Sequence, residues 1–129
     1  MQARVFLVGC SRSGTTIVQR CLNAHPAVTS FPETNFFGRL VGGWSGRIRA
    51  RCGRVRAHRW QSAFGHLEDV LERPGTAAMW PPGTRFGAAV EGLTETLDAV
   101  ACERGAQVWV EKTPKHFRYV DLLEARVPA

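Results

Sequence analysis

The sequence lacks the features that mark several specialised classes of protein. No apolar run approaches the roughly 18 residues that a membrane span requires, and the first residues lack the charged and apolar regions of a signal peptide. There is no internal repeat and no low-complexity tract in the 129 residues. These absences favour one globular domain without a membrane span, and a cytoplasmic location is the default expectation.

Cysteine pairs with metal-binding spacing are also missing. The four cysteines, Cys10, Cys21, Cys52 and Cys102, are scattered, and no CxxC pair occurs. Zinc sites and disulfide scaffolds both depend on closely patterned cysteines, so neither is predicted. We expect reduced thiols that are packed or incidental, and no metal site.

Acidic residues are missing from a long stretch of the chain. Between Glu33 and Glu68 there is none. The same stretch carries seven arginines, at positions 39, 47, 49, 51, 54, 56 and 59. Such a basic field can attract nucleic acid, an anionic nucleotide or an acidic acceptor, and the alternative is a solvated loop or insertion over residues 42–59. No aromatic ladder that could stack single-stranded bases accompanies the arginines, so no nucleic-acid partner is expected.

The apolar pattern predicts strands that alternate with helices. A continuous apolar run over residues 4–9 indicates a buried strand, and "VTSF" and "QVWVEKTP" indicate two more. Helical spacing of apolar residues predicts helices over 15 to about 24, 33–41, 60–73, 84–105 and 115–125. Residues 42–59 and 74–83 are predicted to be irregular. This order is typical of an open α/β fold with a parallel sheet flanked by helices.

Polar residues follow each of the three predicted strands. Residues 9–16 follow the first, Glu33 follows the second, and Glu111 and Lys112 close the third. Ligands of parallel α/β sheets bind beyond the carboxyl ends of the strands. We therefore expect these three segments to meet at one edge of the sheet.

The segment "GCSRSGTT" (residues 9–16), called the glycine loop below, has the chemistry of an anion site. Gly9 and Gly14 permit tight turns in which successive N–H groups point at oxyanions. Thr15 and Thr16 open a helix whose amino end attracts negative charge, and Arg12 can fork onto two oxygens. A P-loop kinase or NTPase has a lysine after the second glycine, which this loop lacks. The pattern favours a shorter anion that carries no magnesium-bound triphosphate.

Four motifs in order resemble the P-loop sulfotransferases that use 3′-phosphoadenosine 5′-phosphosulfate (PAPS). "GCSRSGTT" is similar to their 5′-phosphosulfate-binding loop, and "LNAHPAV", "PET" and "EKTP" are similar to segments that follow it in the same order. The resemblance implies a P-loop-type parallel sheet and transfer of a sulfuryl group to an acceptor hydroxyl. The acceptor could be a sugar, a lipid, a small alcohol or phenol, or a tyrosine peptide.

The resemblance also assigns roles to individual residues. Donor binding falls to Arg12, Ser13, Gly14, Thr15 and Thr16. Glu33 matches the general base on the acceptor hydroxyl, and Lys112 matches a lysine that contacts the transferring group, with Arg12 also neutralising the leaving oxygen. Because other members use histidine as the base, His25 is the next candidate, although a histidine that caps the end of a helix is the simpler interpretation.

Each of these side chains also has a purely structural interpretation. Glu33 could pair with the dipole of the helix that follows it. Glu111 and Lys112 could form a solvent-exposed pair. The residues at 115, 116 and 118 are predicted to form a surface face near the start of the last helix. A P-loop nucleotide binder and a basic nucleic-acid-binding module stay open as alternative functions.

The resemblance implies that residues 1–129 are the N-terminal part of a single sulfotransferase domain. Family members continue with a strand that ends in arginine and a helix that bears serine, which together hold the 3′-phosphate, and no matching pair can be assigned here. A sheet truncated before its later strands would expose an edge, so self-association is expected. Activity of this chain alone is left open.

Overall fold

A three-stranded parallel sheet forms the centre of the fold. The computed structural model describes residues 1–125 and contains β1 (Ala3–Leu7), β2 (Val28–Phe31) and β3 (Val108–Lys112). Their spatial order is β1–β3–β2, so the last strand in sequence lies between the first two. Both pairings are parallel, which confirms the predicted α/β class and brings the carboxyl ends of all three strands to one edge.

Helices connect and cover these strands. They are α1 (Thr15–Asn23), α2 (Phe36–Val41), α3 (Trp44–Arg51), α4 (Ala57–Leu71), α5 (Thr76–Met79), α6 (Phe86–Glu103), a 3₁₀ helix (Pro114–Tyr119) and α7 (Val120–Glu124). The predicted helices that correspond to α1, α2, α4 and α6 are confirmed to within a few residues. The last predicted helix, over 115–125, is instead divided into the 3₁₀ helix and α7.

The two faces of the sheet differ in burial. Phe6, Trp109 and Phe31 project from the face that packs against the main core, where the Phe6 and Trp109 rings meet edge to face at 5.2 Å between centroids. Helix α1 lies on the other face and has no buried residue, and Ile17 is 68% exposed. Alternation along a strand therefore decides whether a residue enters the core or faces α1.

Residues 42–59 are not the irregular segment that the sequence predicts. They contain α3 and the start of α4. Helix α3 is stabilised by a distant part of the chain, because Arg47 and Arg51 form ion pairs with Asp121 of α7 at 3.2 and 2.9 Å. Since only one residue of α3, Ala50, is buried, apolar periodicity could not reveal this helix.

The turn after α3 is also fixed by distant residues. The N–H of Val55 donates to the carbonyl of Thr84 at 2.8 Å, and the N–H of Phe86 donates to the carbonyl of Gly53 at 2.9 Å. The proline-rich segment 74–83, predicted as a loop, contains the single turn of α5. Such tertiary pairings override local sequence preference.

Within residues 1–125, β1 and β2 each pair with β3 alone and form the edges of the sheet. Unpaired strand edges can recruit another chain, so the self-association predicted from the sequence stays a prediction. No helix in this part of the chain has the length and apolar character needed to cross a membrane.

Candidate active site

The glycine loop turns sharply between β1 and α1. Arg12 and Gly14 both have positive φ angles, 63° and 80°. Gly14 is the N-cap of α1, and its carbonyl accepts a hydrogen bond from the N–H of Ile17 at 2.9 Å. A side chain at position 14 would be strained in this left-handed conformation by roughly 1–2 kcal/mol, so the turn depends on glycine.

The amino end of α1 is open to an anion. No side chain of the described residues caps this helix, and its first turn contains no acidic residue. Its first N–H groups and the helix dipole therefore present positive charge on the loop side. This is the usual geometry for binding phosphate or sulfate groups.

The three polar segments meet, as predicted. The N–H of Gly9 donates to the carbonyl of Pro114 at 3.2 Å, which ties the glycine loop to the segment after β3. Lys112 Nζ donates to Glu33 Oε1 at 2.6 Å and to Thr16 Oγ1 at 3.4 Å. One ammonium group therefore joins the carboxylate that follows β2 to the helix that follows β1.

These segments line one cleft of about 240 Å³. Its lining residues are Ser11, Arg12, Gly14, Thr15, Thr16, Glu33, Lys112, Pro114 and Lys115. The chain has only two lysines, and both lie here. Four of the five predicted donor-binding residues are in this lining. The remaining one, Ser13, is not, and its N–H donates a hydrogen bond to the carbonyl of Cys10 at 3.3 Å. The structure thus groups most of the predicted site, while the role of each residue stays a prediction.

Strand alternation separates Glu111 from Lys112. Neighbouring residues of β3 project from opposite faces of the sheet. Glu111 is fully buried on the core side, whereas Lys112 is 9% exposed and reaches the cleft. The interpretation of these two residues as a solvent-exposed pair is therefore wrong.

The buried carboxylate of Glu111 organises a hydrogen-bond network, called the Glu111 network below. Its Oε1 accepts hydrogen bonds from the N–H of Thr34 at 3.2 Å, the hydroxyl of Thr34 at 2.8 Å and the hydroxyl of Thr113. Its Oε2 lies 3.2 Å from Nδ1 of His116. Each carboxylate oxygen therefore has a partner, as burial of such a group requires.

The Glu111 network holds the start of α2. The N–H groups of Asn35, Phe36 and Phe37 donate respectively to Thr113 Oγ1, Thr34 Oγ1 and His116 Nε2 at 3.2–3.3 Å. The opening N–H groups of a helix have no partner within the helix itself. Thr34 satisfies one of them here, and two side chains from the segment after β3 satisfy the others, which fixes the backbone immediately after Glu33.

His116 is in the core and not on the predicted surface face. Its side chain is fully buried. Because Nε2 accepts a hydrogen bond from a backbone N–H, the ring proton lies on Nδ1 and is directed at Glu111. The sequence signal for this role is weak, since it consists of one glutamate after an apolar strand and a histidine five residues later.

Two opposing effects act on the pKa of Glu111. Burial alone would raise it. The hydrogen bond from His116 and those from the hydroxyls of Thr113 and Thr34 stabilise the carboxylate, and together they hold the pKa below its ordinary value of 4.5. Glu111 is therefore charged at neutral pH, although no solvent reaches it.

His25 lies at the opposite end of β2 from Glu33. Its Nδ1 accepts a hydrogen bond from the N–H of Ala27 at 3.2 Å in the turn that precedes the strand. A four-residue strand is roughly 10–13 Å long, so His25 is remote from the cleft. This position agrees with the structural interpretation of His25 at the end of α1, and the choice of Glu33 as the base stays a prediction.

All four cysteines are free and exposed, which fits the incidental thiols of the expectation and not the packed ones. Among residues 1–125, no group of three or more histidine, cysteine, aspartate or glutamate side chains is arranged to hold a metal ion.

Comparison with protein-family models gives a match over nearly the whole chain. A family model described as "Sulfotransferase family" matches residues 4–129. The chain belongs to the sulfotransferase family. Searches of curated proteins and of solved structures found no match. Membership of the sulfotransferase family implies a transferase that uses a sulfonate donor and a hydroxyl-bearing acceptor, in agreement with the resemblance seen in the sequence.

Proposed function

We propose that this protein transfers a sulfuryl group from PAPS to an acceptor hydroxyl by in-line displacement, with Glu33 as the general base. The contact from Lys112 Nζ to Glu33 Oε1 at 2.6 Å, with Thr16 Oγ1 at 3.4 Å, carries this proposal. It brings together an anion-binding helix end, a cation and a proton acceptor, the three groups that such a transfer requires.

The chemistry of the cleft fits the 5′-phosphosulfate group of PAPS. The glycine loop supplies N–H groups and the uncapped end of α1. Arg12, Lys112 and Lys115 add three positive charges against the single carboxylate of Glu33. PAPS supplies an activated sulfuryl group on a phosphate leaving group, and the residues here would bind it without a metal ion.

Each charged side chain has a part in the transfer. Glu33, whose side chain is 53% exposed, is accessible to an acceptor and takes the proton of its hydroxyl as the acceptor oxygen bonds to sulfur. The bond between sulfur and the phosphate oxygen breaks, and the electron pair stays on that oxygen. Arg12 and Lys112 stabilise the negative charge that develops on the leaving and transferring oxygens.

Arg12→Ala is expected to weaken donor binding. A charge-assisted hydrogen bond contributes about 1.5–3 kcal/mol, so the dissociation constant for PAPS should rise roughly 10–100-fold. Equilibrium binding of PAPS, followed by intrinsic fluorescence, measures this change. Arg20→Ala is the matched control, because it removes the same charge from the last turn of α1 and does not line the cleft. Equal donor affinity in the two variants would remove Arg12 from the site.

A transfer assay tests the proposed function itself. The chain is incubated with PAPS and a panel that contains a sugar, a lipid, a phenol and a tyrosine peptide, and sulfated products are identified by mass spectrometry. We expect a product from at least one acceptor, without added metal, and far slower formation of that product by Glu33→Gln. Metal-dependent ATP hydrolysis with no binding of PAPS would contradict the proposal. The cytoplasmic location stays a prediction.

A further inference from the structure

A second basic cavity lies outside the candidate active site. It is lined by Leu40, Val41, Gly43, Ser45, Gly46, Arg49, Arg56 and Arg59 and is called the arginine pocket below. Its volume of about 40 Å³ exceeds the roughly 10–15 Å³ that one water needs. A group of a few heavy atoms fits, whereas a whole sugar or nucleotide does not.

The arginines of this pocket have no counter-charge. Arg49, Arg56 and Arg59 form no ion pair with any described residue, and none of the lining residues is acidic. Arg47 and Arg51 of α3 do pair, with Asp121. Helix α3 therefore neutralises the arginines on one side and leaves Arg49 unpaired on the side of the pocket.

Two backbone features fix the position of the Arg59 side chain. Its Nη1 donates to the carbonyl of Arg39 at 3.3 Å. Its guanidinium also lies over Gly42, where an added Cβ would come within 2.7 Å of Cζ and where φ is +73°. Glycine at position 42 thus permits both the turn and the close approach of Arg59, which holds this charge near the other two arginines.

We propose that the arginine pocket binds a small oxyanion, namely a sulfate, phosphate or carboxylate group. Guanidinium groups bind such anions with paired hydrogen bonds, and an anion would relieve the mutual repulsion of three clustered cations. The hydroxyl of Ser45 lies in the same lining and adds a neutral donor. Nothing in the proposed sulfuryl transfer uses these residues.

The oxyanion can have two sources, a free anion or a group carried by the acceptor. The pocket lies at the far end of α2, whose first residues follow Glu33. A six-residue helix is about 9 Å long, so an extended acceptor could reach from Glu33 to the pocket. This second source rests on the proposed function, whereas binding of a free anion does not.

Titration with sodium sulfate and sodium phosphate tests the pocket directly. Binding is followed by amide chemical shifts, with sodium chloride at matched ionic strength as the reference. We expect saturable shifts in residues 43–59 of the unmodified protein, and affinity at least about tenfold weaker in the double variant Arg49→Gln/Arg56→Gln. Arg54→Gln, which removes a charge from the same segment but does not line the pocket, should bind like the unmodified protein.

Three results would overturn the proposal. They are the absence of saturable shifts, shifts that chloride reproduces, and equal affinity in the double variant when its thermal unfolding is unchanged. Arg59 is left intact in these variants because it packs against Gly42. None of these measurements requires PAPS or turnover, so their outcome is independent of the transfer assay.

A second experiment determines whether the bound oxyanion is free or is carried by the acceptor. Steady-state kinetics compares an anionic acceptor with its neutral analogue, such as a sulfated and a desulfated oligosaccharide. If the acceptor carries the anion, the double variant raises KM for the anionic acceptor alone, about tenfold or more, and leaves KM for PAPS unchanged. If both acceptors behave alike while sulfate binding is lost, the pocket binds a free oxyanion.

Discussion

Glu33→Gln is expected to lower kcat by roughly 10²–10⁴-fold, the usual contribution of a general base. Glutamine keeps the size of the side chain but cannot take a proton from the acceptor hydroxyl. Affinity for PAPS should be at least as tight as in the unmodified protein, because Lys112 loses its carboxylate partner at 2.6 Å and keeps its positive charge. Single-turnover kinetics together with equilibrium PAPS binding separates the two effects.

The matched control for this variant is Glu91→Gln. Glu91 is exposed on α6 and lies outside the cleft, so both kcat and PAPS affinity should be unchanged. If Glu33→Gln retains full turnover, Glu33 is not the base. If instead it loses PAPS affinity and turnover to the same extent, its role is in binding.

Glu111→Ala is expected to destabilise the fold by about 2–6 kcal/mol, because it leaves two buried donors without an acceptor and each such donor costs about 1–3 kcal/mol. The change leaves the Nδ1 proton of His116 and the N–H of Thr34 without their acceptor in the core. Chemical denaturation measures the loss as a lower midpoint at unchanged slope. Glu124→Ala, an exposed substitution on α7, is the control and should change the free energy of unfolding by less than about 0.5 kcal/mol.

Glu111→Gln keeps the volume of the side chain and changes only its charge and its hydrogen-bonding groups, so it tests the hydrogen-bond pattern around position 111. Both carboxylate oxygens of Glu111 accept from N–H donors, Oε2 from His116 Nδ1 and Oε1 from the N–H of Thr34, whereas glutamine has one acceptor oxygen, so in either orientation its NH2 group would face a donor. The Gln variant should therefore also be destabilised. A Gln variant as stable as the unmodified protein would contradict the tautomer and the importance of the charge.

The pH dependence of stability follows from the same carboxylate. The pKa of Glu111 is lower in the folded protein than its ordinary value of 4.5. Its contribution is therefore complete above about pH 4.5 and is lost as the pH falls through the folded pKa. Denaturation midpoints measured across this range should fall towards acid in the unmodified protein, and the Glu111 variants should lack this part of the decline.

The cleft could be predicted from the sequence because parallel strands impose a simple rule. Each polar segment follows an apolar run, and the carboxyl ends of parallel strands share one edge. The rule therefore predicts that Arg12, Glu33 and Lys112 lie close together, as they do in the cleft. Local sequence also predicts α1, α4 and α6, whose apolar residues recur at helical spacing.

The features that the sequence did not predict depend on contacts between distant residues. Helix α3 has one buried residue and is held by Asp121, about 70 residues away. The Glu111 network joins residues of α2 to the segment after β3, which are more than 70 positions apart. Neither apolar periodicity nor local motif spacing carries information of this kind, so the sequence alone predicts a surface position for His116.

Calorimetric titration of the intact protein with adenosine 3′,5′-bisphosphate, in the absence of metal, tests the central claim most directly. We expect saturable binding that Arg12→Ala weakens, that Arg20→Ala leaves unchanged, and that magnesium does not improve. A parallel titration with ATP and magnesium should give weaker binding. Tight, metal-dependent binding of ATP with no heat from the bisphosphate would contradict the account.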